Sequence, residues 1–67
     1  MASAIVSGRS TGMDLRLRRT VLGISQVDLA RHLGVTRQRI GNLEGMLRPP
    51  KSAIERYLAA LHKLAGE

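Results

Sequence analysis

Apolar positions recur along the chain in four short runs at helical spacing, separated by glycine, serine, threonine and proline. In the first run, Leu15, Val21 and Leu22 alternate with arginines, which predicts a helix from about Asp14 to Leu22. Thr11 or Gly12 caps its start and Gly23 closes it, while Leu17 falls off its stripe. The second run, Val27, Leu29, Ala30 and Leu33, sits behind Ser25 with Asp28 three residues on, a capping-box spacing, and stops at Gly34. Thr36 then heads a third helix from Arg37 to about Met46. At about 100° per residue, Ile40, Leu43, Glu44 and Leu47 share one face, and Gln38, Gly41, Asn42 and Gly45 share the other. Arg48-Pro49-Pro50 breaks the pattern. Ser52 and Glu55 offer a further capping box before Ile54, Tyr57, Leu58, Leu61, Leu64 and Ala65, which predict a last helix over Ala53 to Ala65. No strand pattern and no internal repeat occurs. The expected fold is therefore all-α, a compact domain over residues 13–67 behind a flexible arm, 1–12, that carries Arg9.

Charge narrows the partner. Eleven basic residues face five acidic ones, and nine of the eleven are arginine, the side chain suited to forked contacts with phosphates and guanine edges. There is no cysteine, and the two histidines are far apart, so neither a disulfide nor a metal site is expected. Catalytic chemistry finds no foothold either: paired carboxylates at useful spacing and a glycine-rich phosphate loop are both missing, so no enzyme activity, cofactor or small-molecule ligand is expected. Tyr57 is the single aromatic residue and lies in an apolar stripe, which speaks against the stacking platform of a nonspecific RNA binder. No apolar run approaches a membrane span and no secretion signal opens the chain, so a soluble cytoplasmic protein without membrane contact is expected.

Two short helices joined by a tight glycine-containing turn have the form of a helix-turn-helix. "LR" at Leu15 and Arg16, "GISQ" at Gly23 to Gln26, "LA" at Leu29 and Ala30, "LGVT" at Leu33 to Thr36, and Ile40 with Leu43 and Glu44 occur together at fixed offsets. In this the chain resembles the lambdoid phage repressor and Cro proteins, the XRE type, over Leu15 to about Pro50. The resemblance implies a lambda-repressor-like fold of four to five helices and a third helix that enters the major groove. Arg37 and Gln38 match the family's base-reading positions, and Asn42, one turn beyond Gln38 on the same face, is a third candidate. Gln26 matches a phosphate-gripping glutamine, Thr36 and Arg39 flank the readers as phosphate contacts, and Arg48 and Lys51 border the loop that meets the opposite backbone. By family offset, Arg19 pairs with Glu44.

Gly41 and Gly45 depart from the family pattern, as does Met46 where many members carry glycine. Such proteins bind inverted repeats as pairs, so a homodimer is expected, with Met46, Tyr57 and Leu61 as candidate interface residues. The implied function is sequence-specific binding of double-stranded DNA by a small repressor or autoregulator. Cro-like repressors, restriction-modification controllers and anti-CRISPR-associated autoregulators share this architecture. The alternative is an antitoxin, which would also mask a protein partner.

Overall fold

The computed structural model of the protein describes residues 11–66. Arg9 and most of the expected arm lie outside the described residues. Four helices follow one another: α1 (Gly12–Val21), α2 (Gln26–Leu33), α3 (Arg37–Glu44) and α4 (Lys51–Leu64). Among the described residues there is no strand, and no helix is long and apolar enough to cross a membrane.

Local chemistry sets most of the boundaries. The Thr11 hydroxyl accepts from the Asp14 N–H and the Asp14 carboxylate accepts from the Thr11 N–H, both at 3.1 Å, so a complete capping box starts α1. Helix α1 thus begins at Gly12, two residues earlier than the expected start at Asp14. Ser25 caps α2 by accepting from the Asp28 N–H at 3.0 Å; the Asp28 side chain turns instead toward Arg31, 3.5 Å away. Gly34, at φ 73°, takes the left-handed conformation that turns the chain sharply into α3, and Thr36 caps α3 by accepting from the Arg39 N–H at 3.1 Å. The helix then stops at Glu44, two residues short of expectation. The Ser52–Glu55 box does not form, because α4 starts at Lys51 behind Pro50, which puts Ser52 inside the helix and not at its cap.

The two antecedent helices α1 and α2 each pack on both α3 and α4. Their shared core is Leu15, Leu29, Ala30, Ile40, Ile54, Tyr57, Ala60 and Leu61, with Ile24, Leu33, Val35 and Leu58 around it. Several apolar positions of the sequence pattern fall outside it. Leu47 is 78% exposed, since the helical phase that placed it beside Leu43 ends at Glu44. Val21 and Val27 also face solvent.

Two of the three residues expected at a dimer interface are corrected by this core. Tyr57 is fully buried and Leu61 is 3% exposed within one copy, so neither can contribute surface to a second. Tyr57 is the bulkiest apolar side chain in a chain without Phe or Trp, and the interior claims it. Met46 is half-buried.

Gly12 locks α1 to the end of α3. Its N–H donates to the Met46 carbonyl at 2.8 Å, and a Cβ at this position would lie 2.4 Å from the Leu43 carbonyl oxygen. Only a residue with no side chain permits that approach.

Candidate nucleic-acid interface

Glu44 is the hub of the inner side of α3. Arg19, in the last turn of α1, donates to it through Nε at 2.7 Å and Nη2 at 3.2 Å. The third nitrogen of Arg19, Nη1, donates to the Ile24 carbonyl at 2.8 Å and so fastens the α1–α2 turn to the same group. Gln26 Nε2 donates to Glu44 Oε1 at 3.0 Å, and the Tyr57 hydroxyl donates to Oε2 from α4. The Tyr57 oxygen also lies 3.2 Å from the Leu15 carbonyl oxygen. All four helices therefore converge on one carboxylate through donors that replace its lost water.

These contacts determine its charge. Burial alone would raise the Glu44 pKa, but hydrogen bonds from Arg19, Tyr57 and Gln26, with the Arg19 charge, hold it below the usual carboxylate value of 4.5. The hydrogen bond to Glu44 raises the Arg19 pKa against the opposing effect of burial. Burial first, and then the neighbouring carboxylate, push the Tyr57 hydroxyl well above its ordinary value, so it remains a donor.

A depressed carboxylate pKa stabilises the fold fully above the unfolded value and ceases to do so as pH falls through the folded value. Urea unfolding of the protein is therefore expected to lose stability below about pH 4.5. The Glu44→Gln variant should lack the part of that slope due to this group. A slope unchanged by the substitution would place the acid sensitivity elsewhere.

Gln26 extends the network to the surface. Its Oε1 accepts from Arg37 Nη1 at 3.3 Å, so the first residue of α3 is tied through Gln26 to the buried carboxylate. Above this link an open cleft of about 570 Å³ runs between α1, α2 and α3, lined by Arg16, Gln26, Arg37, Gly41 and Gly45 among others. Gly41 meets nothing nearer than Gln26 Nε2 at 3.9 Å, so the cleft floor is bare backbone on that side.

The structure thus brings together Arg37 and Gln26 of the expected contact residues. Thr36, Gln38, Arg39 and Asn42 are exposed on α3 without lining the cleft. Arg48 and Lys51 are exposed on the loop and at the start of α4, also away from it. Arg16 joins Arg37 in the cleft and was not among the expected contacts, although it stands in the "LR" pair on which the resemblance partly rests. The link from Gln26 to Glu44 joins residues 18 apart and has no local signal at all.

Among the described residues no three His, Cys, Asp or Glu side chains are grouped to hold a metal ion. Comparison of the chain with protein-family models, with curated proteins and with solved structures gave no match.

Proposed function

We propose that the chain is a sequence-specific binder of double-stranded DNA with a lambda-repressor-like helix-turn-helix fold. In this reading it acts as a small homodimeric transcriptional regulator on an inverted repeat in the cytoplasm. The observation that carries the reading is the two-sidedness of α3. Ile40, Leu43 and Glu44 are buried on one side and Gln38 and Asn42 stand in solvent on the other, while Arg37 is exposed at the edge beside a cleft also lined by Arg16 and Arg19. That division suits a helix held from behind and presented to a groove.

The tie between Arg37 and Gln26 bears on base reading. A guanidinium has five N–H donors, and Gln26 takes one, leaving enough for a forked contact to guanine O6 and N7. A side chain already held in place has less rotamer freedom to lose, a saving of about 0.5–1.5 kcal/mol on binding. Gln26 spends one amide hydrogen on Glu44 and keeps the other for a phosphate. The α2 N-terminus adds free backbone N–H groups, because Ser25 satisfies only that of Asp28. With Gly41 and Gly45 lacking side chains, a DNA backbone can lie close to α3 between Arg16 and Arg37. Gln38 and Asn42 are assigned to adenine or mixed base edges, Thr36, Arg39, Arg48 and Lys51 to flanking phosphates.

Selection of bound duplexes from random DNA tests the reading. An inverted repeat with half-sites about one helical turn, ~34 Å, apart is the expected result, and no enrichment over random sequence would end it. Arg37→Ala is expected to cost about 1–3 kcal/mol on the selected site and to relax preference at one base position. Uniform weakening on every sequence would instead make Arg37 a phosphate contact. Affinity should also fall steeply with salt, as neutralised phosphates require.

A further inference from the structure

An apolar stripe runs along the outer side of α1. Met13, Leu17 and Val21 recur every four residues and are 69%, 61% and 75% exposed, while Gly12, Leu15 and Arg19 bury the opposite side. Single exposed leucines are ordinary on a small protein; three large apolar side chains aligned on one helix are not. The stripe has unlike edges. At about 100° per residue, Arg16 and Thr20 border it on one side, Asp14 and Arg18 on the other. The Arg16 edge faces the cleft, whereas Arg18 borders a recess with Leu58 and His62 of α4.

We propose that a second copy of this chain docks on the stripe, the two α1 helices running antiparallel about a two-fold axis beside Leu17. The inference rests on the DNA-binding reading for its purpose, and its geometry stands on charge. About such an axis, Leu17 meets Leu17 of the second copy and Met13 meets Val21. Asp14 lies three residues before the axis and Arg18 one residue after it. Antiparallel helices with a rise of about 1.5 Å per residue then bring Asp14 within about 3 Å, along the axis, of Arg18 of the second copy. The symmetry makes this pair twice, with the two Arg18 residues as close to each other along the axis and an Asp14 outside each of them, so this edge carries no net charge. A parallel pairing would instead set the Asp14–Arg18 edge of one copy against the Arg16–Thr20 edge of the other, turn the two clefts to opposite sides and align the two helix dipoles.

The same axis keeps the Arg16 edges, and so both clefts, on one side of the dimer, as an inverted repeat requires. From α3 through α1 to the second copy's α1 and α3 there are three helix-to-helix steps of about 8–10 Å, or up to about 30 Å in all. That approaches the ~34 Å of one DNA turn. Ten residues of helix make a contact only about 15 Å long, short of what the usual ~800 Å² per partner needs. The two Arg16 side chains also repel each other across the axis until phosphates lie between them. Pairing is therefore weak in free solution and is completed on DNA, which makes occupation of the two half-sites cooperative.

The chain contains no cysteine, so Leu17→Cys in the full chain sets a single thiol beside the axis. Mild oxidation is expected to give a covalent dimer about tenfold faster or more than Ala59→Cys, at an exposed position of α4, because docking raises the effective thiol concentration. Leu17→Glu should keep its helical spectrum and its affinity for a single half-site, yet sediment as a monomer at the high concentrations where the parent associates, and bind the full repeat without cooperativity. Equal oxidation rates at the two positions, or unchanged sedimentation and cooperativity for Leu17→Glu, would overturn the proposal. So would a disulfide within one chain in the Ile5→Cys, Leu17→Cys double variant, since residues 1–10 would then cover the stripe. The oxidation and sedimentation arms use no DNA, so they decide this point even if the wild-type protein selects no sequence.

Discussion

Glu44→Ala is expected to lower stability by about 3–5 kcal/mol, the range for removing one partner of a buried ion pair. At roughly 0.05–0.15 kcal/mol per residue, a chain of this length has only about 3–10 kcal/mol in total. The variant should therefore be largely unfolded or melt far below the parent. Removing the carboxylate leaves the Arg19 guanidinium, the Gln26 amide and the Tyr57 hydroxyl without their acceptor in a buried site. Each of those desolvated donors then adds its own cost. Tyr57→Phe, which deletes one donor and leaves the charge paired, should lose about 1.5–3 kcal/mol. The Arg19→Met, Glu44→Leu double variant should recover the part of the deficit due to the unpaired guanidinium, and adding Tyr57→Phe should recover more, because apolar groups need no partner. A loss below about 1 kcal/mol for Glu44→Ala would mean that the pair behaves as a solvated one.

Gly12→Val is the second large effect, at about 3 kcal/mol, the upper end for overpacking. Its Cβ would fall 2.4 Å from the Leu43 carbonyl oxygen and 2.5 Å from that of Glu44, and both are backbone atoms that cannot swing aside. Relief requires α1 to lift from the end of α3, which also breaks the bond from the Gly12 N–H to Met46. Gly12→Ala should destabilise as well, even though alanine is the better helix former by up to about 1 kcal/mol. Urea midpoints of the two variants check both claims, and an Ala variant more stable than the parent would contradict the close approach. Because Glu44 sits at the same end of α3, Gly12→Ala is also expected to weaken the proposed DNA binding.

Much of the architecture is legible in the sequence because short capping signals act over three or four residues. Thr11, Ser25, Thr36 and Gly34 mark their boundaries through bonds that any local reading can anticipate. Periodicity was less informative where it outran the helix. Leu47 keeps the phase of Leu43, but the chain has already left the helix, and nothing in phase alone reveals that. Tyr57 shows a related limit: a stripe says which side of a helix is apolar, and leaves open whether a core or a second molecule covers it. Of the candidate site, the exposure of Gln38 and Asn42 on one side of α3 follows from the pattern of Ile40 and Leu43. The convergence of Arg16, Gln26 and Arg37 does not, since it depends on how α1 and α2 lie against α3.

Arg37 hangs from Gln26 and thence from Glu44, whereas the Gln38 and Asn42 side chains take part in no hydrogen bond among the described residues. Variation is therefore partitioned along a single helix. Positions 38 and 42 can change identity at little cost to folding, and a library randomised at these two sites should yield mostly folded members that, on the proposed DNA-binding reading, differ in sequence preference. Positions 19, 26 and 44 cannot drift in the same way, so descendants of such a chain can acquire new target sequences while inheriting an unchanged frame.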